Sequence, residues 1–372
     1  MTGAPPDPPP YAPPPGQPPA YGRQPPPYLP PPGRPVSFFV AIFLALLLLV
    51  SGGLNVLLLV VSIGGFAASS LGGAGSVDDD GSNWELVHVA GEQHGKTRVL
   101  RIPINGAIAE STSPLIGAAG GTVSQVRRAL KLASRDDEVR AVLLEIDSPG
   151  GGVTDSDEIY RMLREFKTRS GKKVVALFGD LAASGGYYVA CAADRIIARR
   201  TNITGSIGVI MSAWNFSEAA KKFGVEQVAI KSQHTPFKDI LSPTRPMTTD
   251  EQRLLTGIVE ELYQQFVTVV TEGRPGLDRA QAQALATGAI YTANQALQNG
   301  LIDEIGDLEA TSVWLRSSLG GDFELLEQRR RPGLRELLFG ARAPVPSLDA
   351  TAAQLLRATT GPRFLYFWEG GR

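Results

Sequence analysis

The chain has 372 residues, enough for two or three domains, and carries 36 basic and 37 acidic side chains for a net charge of −1 at pH 7. A nearly neutral balance argues against a nucleic-acid partner, because phosphate backbones attract clearly basic surfaces. The single cysteine, Cys191, excludes an intrachain disulfide. His, Cys and carboxylate residues show no metal-ligand spacing, so we expect neither a catalytic metal nor any other cofactor.

The first 35 residues are dominated by proline, with 17 prolines interleaved with tyrosines. Such a composition cannot bury a core and favours the extended polyproline II conformation. We therefore predict a disordered proline-rich tail over 1–35. A docking site for proline-recognising partners is an open alternative.

An apolar segment over 36–71 follows the tail, and no charged residue lies between Arg34 and Asp78. Its length exceeds the roughly 20 residues that span a bilayer, so we predict one transmembrane anchor, with a cleaved signal peptide as the rival interpretation. Arginines precede the segment and aspartates follow it. The positive-inside rule then places the N-terminus in the cytoplasm and the rest of the chain outside, across the cell (inner) membrane.

Residues 72–96 are predicted to form a linker, and a folded domain is predicted over 97–320. Its strand and helix patterns alternate, which indicates an α/β fold of repeated strand–helix units. Predicted strands cover 97–102, 140–146, 174–178, 195–198 and 225–230, and predicted helices cover 123–133 and 248–272. A C-terminal extension over 321–372 contains P-R-F-L-Y-F-W at 362–368, which could lie at the bilayer surface, pack on a neighbour or fold back.

Two glycine-rich turns follow predicted strands. Ser184 stands between the strand 174–178 and an alanine-rich helix, where the free N–H groups of Gly185 and Gly186 would favour negative charge on a substrate oxygen. The second turn, 147–152, would lie beside the first at the carboxyl edge of a parallel sheet. A plain serine N-cap is the alternative to a nucleophile.

A serine nucleophile requires a base, and the chain has only three histidines. His234 is the one near a plausible site, and the same segment holds Lys231 and Lys238. A lysine can serve as a general base when desolvation lowers its pKa. Cys191 could also act as a nucleophile, although an alanine-rich helix favours a buried structural thiol.

Several motifs resemble the bacterial signal peptide peptidase A family, in that family's order and spacing across roughly 98–308. These motifs are I-D-S-P-G-G-G-V, A-A-S-G-G-Y-Y-V-A, T-G-S-I-G-V, K-S-Q-H-T-P-F-K-D-I-L-S-P and Y-T-A-N-Q-A-L-Q-N-G-L-I-D-E-I-G. The resemblance implies a serine–lysine endopeptidase with the Clp-protease/crotonase fold, which degrades signal-peptide remnants and other hydrophobic peptides. It also implies a homo-oligomer with catalytic groups meeting at subunit boundaries.

The resemblance assigns roles by position. Ser184 would be the nucleophile, Lys238 the general base, Gly151 and Gly185 the oxyanion donors, and Ser206 the residue that orients the lysine. The lysine segment is longer than the family pattern, which keeps His234 open as an alternative base. Two further alternatives are a crotonase-type enzyme acting on coenzyme A thioesters and an inactive membrane scaffold.

Overall fold

The computed structural model describes residues 84–93, 95–110, 121–331 and 364–367, together with helical residues at 43–44, 47–49 and 51–52. The predicted tail over 1–35 and most of the predicted anchor over 36–71 lie outside these ranges. Within the described ranges, no helix is long and apolar enough to cross a membrane. The chain divides into two compact units, Met1–Gly75 and Ser76–Arg372, and all the strands belong to the second.

Twelve strands are described. Their bounds are β1 Trp84–Gly91, β2 Arg98–Asn105, β3 Val139–Ser148, β4 Gly150–Gly152, β5 Lys173–Ala183, β6 Arg195–Ala198, β7 Ile203–Gly205, β8 Ile210–Met211, β9 Ile290–Thr292, β10 Glu304–Ile305, β11 Glu324–Arg330 and β12 Phe364–Phe367. Eight helices accompany them in the second unit as described. They are α1 Thr122–Arg135, α2 Val153–Ser170, α3 Gly185–Ala190, α4 Ser217–Lys222, α5 Thr249–Gly273, α6 Arg279–Leu285, α7 Ala293–Gln298 and α8 Leu308–Leu319.

The main sheet has nine strands, in the order β1-β11-β2-β3-β5-β6-β10, with β7 added to β5 and β9 added to β7. Its centre is parallel, whereas β1 and β9 pair antiparallel with their neighbours. Parallel strands joined through helices place their carboxyl ends along one edge. The turns after β3 and β5 therefore meet there, as the sequence predicts.

The central strands are buried on both faces, which explains their nearly continuous apolar sequences. Leu100 and Leu144 belong to the larger core, under the helices of one face, while Val99 and Leu143 belong to a second cluster with Leu315 of α8. Neighbouring residues in a strand point to opposite faces. The sheet is therefore covered on both sides and holds the turns at its edge in fixed positions.

The mixed α/β fold is confirmed, and the sheet reaches beyond the range 97–320. Strands β1 and β11, on either side of that range, pair with each other and add to its edge. The predicted helix over 248–272 is present as α5, and Thr248 forms a capping box with Glu251. The predicted strand over 225–230 is wrong: these residues have no regular structure, and Ile230 is 97% exposed. A β-branched sequence forms a strand only where a sheet edge is available to pair with it.

Candidate active site

Ser184 occupies the sharp turn between β5 and α3. Its backbone has φ 52° and ψ −115°, a conformation that costs free energy for a residue with a side chain and recurs at functional turns. The residue is 1% exposed, and within the described chain its Oγ has no hydrogen-bond partner. A buried hydroxyl without a partner costs free energy, so this atom is available for a group other than the described side chains.

Helix α3 is fixed by its two tyrosines. The Tyr187 hydroxyl donates to the Leu301 carbonyl at 2.9 Å, and the Tyr188 hydroxyl donates to Asp157 at 2.8 Å. The Tyr188 ring also packs edge-on against Phe266 of α5, with centroids 4.9 Å apart. Burial raises the pKa of Tyr187 well above its usual value, so its hydroxyl stays neutral and donates this bond. These contacts fix the helix N-terminus behind Ser184.

The glycine turn after β3 is organised by Ser148 and Ile108. The Ser148 hydroxyl donates to the Gly106 carbonyl at 2.6 Å and accepts the N–H of Gly150 at 3.1 Å. Ile108 donates its N–H to Gly150 O, at 2.8 Å, and accepts the N–H of Gly152, at 2.9 Å. Because backbone groups alternate along a strand, the N–H of Gly151 points away from Ile108, toward the opposite side of β4.

The two glycine turns approach each other closely. A Cβ atom placed on Gly185 would lie 3.1 Å from the Gly151 nitrogen and 2.5 Å from Ser156 Oγ. A Cβ on Gly151 would collide with the Ile108 backbone. Gly185 is also the first residue of α3, and the first N–H groups of a helix have no acceptor within it. The structure thus brings Ser184, Gly185 and Gly151 together.

Ser206 lies beside Ser184. Strand β7 is parallel to β5, with Gly205 opposite Ala183, so the two serines directly follow paired residues. The Ser184 N–H donates to Gly205 O at 2.8 Å, and the Ser206 N–H donates to Ala289 O at 2.7 Å. Ser206 also lines a cavity of about 480 Å³, shared with Ile210 and Tyr263. The cavity therefore opens beside the turn that carries Ser206.

The lysine segment lies outside the core. Lys238 is exposed, and its ammonium has no hydrogen bond or ion pair with the described residues. Lys231 differs, because it is paired with Asp239 and donates to Pro236 O at 2.8 Å. His234 is exposed as well. Within one chain, therefore, none of the three candidate bases is bonded to Ser184 Oγ.

Cys191 is buried behind the turn and does not fit the role of a nucleophile. It is 1% exposed, and burial raises the pKa of its thiol to about 12. A thiol with this pKa is almost entirely protonated at neutral pH, whereas the thiolate is the reactive form. The interpretation of Cys191 as a structural residue therefore holds.

Three polar residues of the site are absent from the sequence predictions. Ser148 holds the first glycine turn, and Thr204 ties β7 to β5 by donating its hydroxyl to Ala182 O at 2.6 Å. Ser156 is fully buried beside Gly185, and its Oγ has no partner within the described ranges. The only signal for Ser148 and Thr204 in the sequence is their position next to glycine turns, and Ser156 has none.

Comparison with known proteins identifies the family. The model of peptidase family S49 matches residues 166–320, and that of Clp protease matches 118–206. One relative, slr0021 of Synechocystis sp., is named as a protease and is 39% identical to this chain. The match covers 66% of this chain and 84% of the relative. It is 36% identical to an Enterococcus faecium protein named as the signal peptide peptidase SppA, over 61% of this chain and 65% of the relative.

A third relative is Protease 4 of Haemophilus influenzae, which is 34% identical over 56% of this chain but only 33% of its own length. The chain spans most of the Synechocystis relative and about a third of Protease 4. The two family models together cover both glycine turns, Ser184, Ser206 and the lysine segment. The chain belongs to peptidase family S49 and is a serine peptidase.

Proposed function

We propose that the chain is a membrane-anchored endopeptidase in which Ser184 is the nucleophile and Lys238 the general base. The observation that carries this proposal is the buried, unpartnered Ser184 Oγ on a strained turn. A hydroxyl in this setting is a candidate for activation by a base, and the N–H groups of Gly151 and Gly185, on the two turns that approach each other, would stabilise an oxyanion.

Lys238 would reach Ser184 from a neighbouring subunit. The lysine segment belongs to an arm, residues 210–247, in which many large apolar side chains are exposed to solvent. They include Trp214 at 73%, Phe223 at 83%, Val228 at 79% and Ile230 at 97%. Extended apolar surfaces of this kind mark interfaces. A second copy that covers the arm would exclude water, and a dry setting favours the neutral amine that a base requires.

In the proposed reaction, Ser184 Oγ attacks the peptide carbonyl while its proton passes to the Lys238 amine. The carbonyl oxygen gains negative charge and accepts hydrogen bonds from Gly151 and Gly185. The C–N bond then breaks, and the leaving amine takes the proton from Lys238. Water hydrolyses the acyl ester by the same route. Ser206 would hold the lysine amine in position, because it lies next to Ser184.

The proposed substrates are signal-peptide remnants and other hydrophobic peptides. The name of the Enterococcus relative supports this class, and the cavity beside Ser206 contains Val209, Ile210 and Val259. The apolar segment 36–71 supports a single-pass anchor, with the N-terminus in the cytoplasm and the catalytic domain outside. Protease added to intact spheroplasts should then reach the catalytic domain and spare the proline-rich tail.

The test compares Ser184→Ala, Lys238→Ala and His234→Ala in the full chain with an apolar peptide substrate. The first two changes should each abolish hydrolysis with folding intact, since nucleophile and base act as a unit. His234→Ala should retain most of the activity, and a serine-reactive phosphonate should label the unmodified chain and His234→Ala but neither Ser184→Ala nor Lys238→Ala, because the reagent needs a base-activated hydroxyl. Normal turnover by Lys238→Ala, or equal damage from His234→Ala, would overturn the assignment of the base.

A further inference from the structure

Ser156 connects the two glycine turns of the site. It belongs to α2, the helix that begins directly after the first turn, with Gly152 as its N-cap. Its side chain reaches the second turn, because a Cβ atom placed on Gly185 would lie 2.5 Å from Ser156 Oγ. The residue is fully buried. Its hydroxyl therefore lies in the closed space between the two turns that carry the candidate oxyanion donors.

The Ser156 hydroxyl lacks the bond that other helix serines of this chain make. A serine inside a helix can donate its hydroxyl to the carbonyl oxygen four residues earlier. Ser134 donates in this way to Leu130 O at 2.8 Å, and Ser170, on the same helix as Ser156, donates to Phe166 O at 2.7 Å. Ser156 Oγ has no hydrogen-bond partner among the described residues. A buried donor without a partner costs free energy, and a bond formed during the reaction would recover that cost.

The hydroxyl lies on the side of Gly185 toward which its N–H is directed. In an α-helix each Cα–Cβ bond is tilted toward the N-terminus, and the N–H groups of the first turn point the same way. The position of a Cβ on Gly185 therefore marks the side on which its N–H can bind an oxygen atom. Ser156 Oγ lies 2.5 Å from that position, and the Gly151 nitrogen lies 3.1 Å from it. Two N–H groups and one hydroxyl thus converge next to Ser184.

We propose that the Ser156 hydroxyl is a third donor to the oxyanion and hence a catalytic residue. This proposal rests on the proposed function, because it requires the oxyanion to form at Ser184. When Ser184 Oγ attacks the peptide carbonyl, the π bond of the carbonyl breaks, its electron pair moves to the oxygen, and the serine proton passes to the Lys238 amine. The charged oxygen then accepts a hydrogen bond from Ser156 as well as from the two glycine N–H groups.

The resting state makes this donor effective in catalysis. An interaction accelerates the chemical step only if it is stronger in the transition state than in the bound substrate. The Ser156 hydroxyl has no described partner to give up, and it is already held in place by the close packing of the turns. Its bond to the developing charge is therefore gained as the oxyanion forms.

The first test compares two serines of one helix in the full chain. Ser156→Ala should lower kcat for an apolar peptide on the order of 10²-fold with KM nearly unchanged. Urea unfolding should show equal or greater stability, because the change removes a buried donor without a partner and alanine favours a helix. Ser170→Ala is the matched control, about 21 Å further along α2, and should leave kcat unchanged.

The second test uses a peptide aldehyde, which reports on the oxyanion itself. Ser184 Oγ adds to the aldehyde carbon, the carbonyl π bond breaks, and the serine proton passes to the Lys238 amine, so the aldehyde oxygen takes the place of the oxyanion. Its inhibition constant should rise in Ser156→Ala by about the factor by which kcat/KM falls. The same peptide with a CH₂–NH group in place of the scissile amide has no such oxygen. It should bind equally to the unmodified chain and to Ser156→Ala.

The outcomes separate the two proposals. Full turnover by Ser156→Ala, with Ser184→Ala inactive, would overturn the third donor and leave the proposed function in place. Hydrolysis by Ser184→Ala would overturn the proposed function and the third donor together. Equal weakening of the aldehyde and of the CH₂–NH peptide would show that Ser156 only packs the two turns against each other. A loss of stability in Ser156→Ala that accompanies the loss of kcat would contradict the proposal for the same reason.

Discussion

Ser184 and Ser206 directly follow a pair of opposed residues, Ala183 and Gly205, on adjacent parallel strands, and both adopt positive φ angles, 52° and 49°. Two serines with this conformation, side by side at one sheet edge, are unusual, because residues with a side chain seldom adopt it. The extension of β5 to Ala183 and its pairing with β7 produce this arrangement. The position of each hydroxyl is therefore set by the sheet.

The first prediction concerns Ser206. Replacing it with alanine should lower kcat on the order of 10²-fold with little change in KM. The Lys238 amine would no longer be held in position, and a displacement of a catalytic group lowers the rate by about this factor. Ser206→Gly removes the same hydroxyl but tolerates a positive φ, so it should be equally slow and unfold at a higher temperature than Ser206→Ala. Steady-state kinetics and thermal melts of both variants check this. Full activity in either variant would contradict a positioning role.

The second prediction concerns the close approach of the glycine turns. Gly185→Ala should abolish activity, because the new methyl group would lie 2.5 Å from Ser156 Oγ and 3.1 Å from the Gly151 nitrogen. Gly257→Ala is the control: that glycine is inside α5 with open space around it, so alanine should stabilise the fold by about 0.5–1 kcal/mol. Activity and urea unfolding report the two effects. An active Gly185→Ala enzyme would show that the turns need not approach so closely.

The third prediction tests the shared site. Ser184→Ala and Lys238→Ala chains should each be inactive alone, but a mixture under conditions of subunit exchange should regain activity. Where a Lys238→Ala subunit meets a Ser184→Ala subunit, the intact Ser184 of the first can act with the intact Lys238 of the second. Native mass spectrometry of the mixture confirms exchange. If exchange occurs and hydrolysis stays absent, both groups act within one chain.

The fourth prediction concerns Arg245, which holds the lysine arm to α5. It donates to Glu251 at 2.8 Å and to Asp239 at 3.0 Å, and Asp239 also pairs with Lys231. Hydrogen bonds from Arg245 first, then from the Thr248 backbone, lower the pKa of Glu251 from 4.5 to about 2. A lowered carboxyl pKa contributes stability above pH 4.5, and this contribution is lost as the pH falls toward 2.

Arg245→Gln should therefore lower the unfolding temperature most at pH 7, and the difference from the unmodified chain should shrink below pH 4.5. Arg253→Gln is the control, because Arg253 pairs only with the exposed Asp250 in the described structure and exposed pairs contribute little. Melting curves at pH 7, 5 and 3 give the comparison. A difference that stays constant down to pH 3 would show that ionisation of Glu251 is not involved.

The local pattern of apolar and polar residues predicted the bounds of the strands and helices around the site closely. The strand Arg195–Ala198 has the predicted bounds, and the helix predicted over 248–272 differs from α5 by one residue at each end. These elements have their own signals: apolar runs that end in small residues, and a capping sequence before an amphipathic helix. The juxtaposition of the two glycine turns followed from parallel-sheet geometry alone.

Pairing across long stretches of sequence was not predicted. Strands β1, β11 and β12 fall in ranges predicted as linker or extension, because their partners are far away along the chain. Residues 225–230 show the converse error: their β-branched composition indicates a strand, but no sheet edge is there to receive it. The hydrogen bonds of Ser148 and the position of Ser156 beside Gly185 likewise depend on how turns approach each other, which composition does not encode.

The pairing of β1 with β11 has a consequence for synthesis on the ribosome. Trp84 lies opposite Arg330, so the first strand of the sheet meets its partner only after nearly 250 further residues have been made. Until then β1 and the outer edge of β2 are both unpaired, and contacts this distant in sequence form slowly. A nascent chain that already contains Ser184 therefore still exposes an open sheet edge, which invites association with other chains.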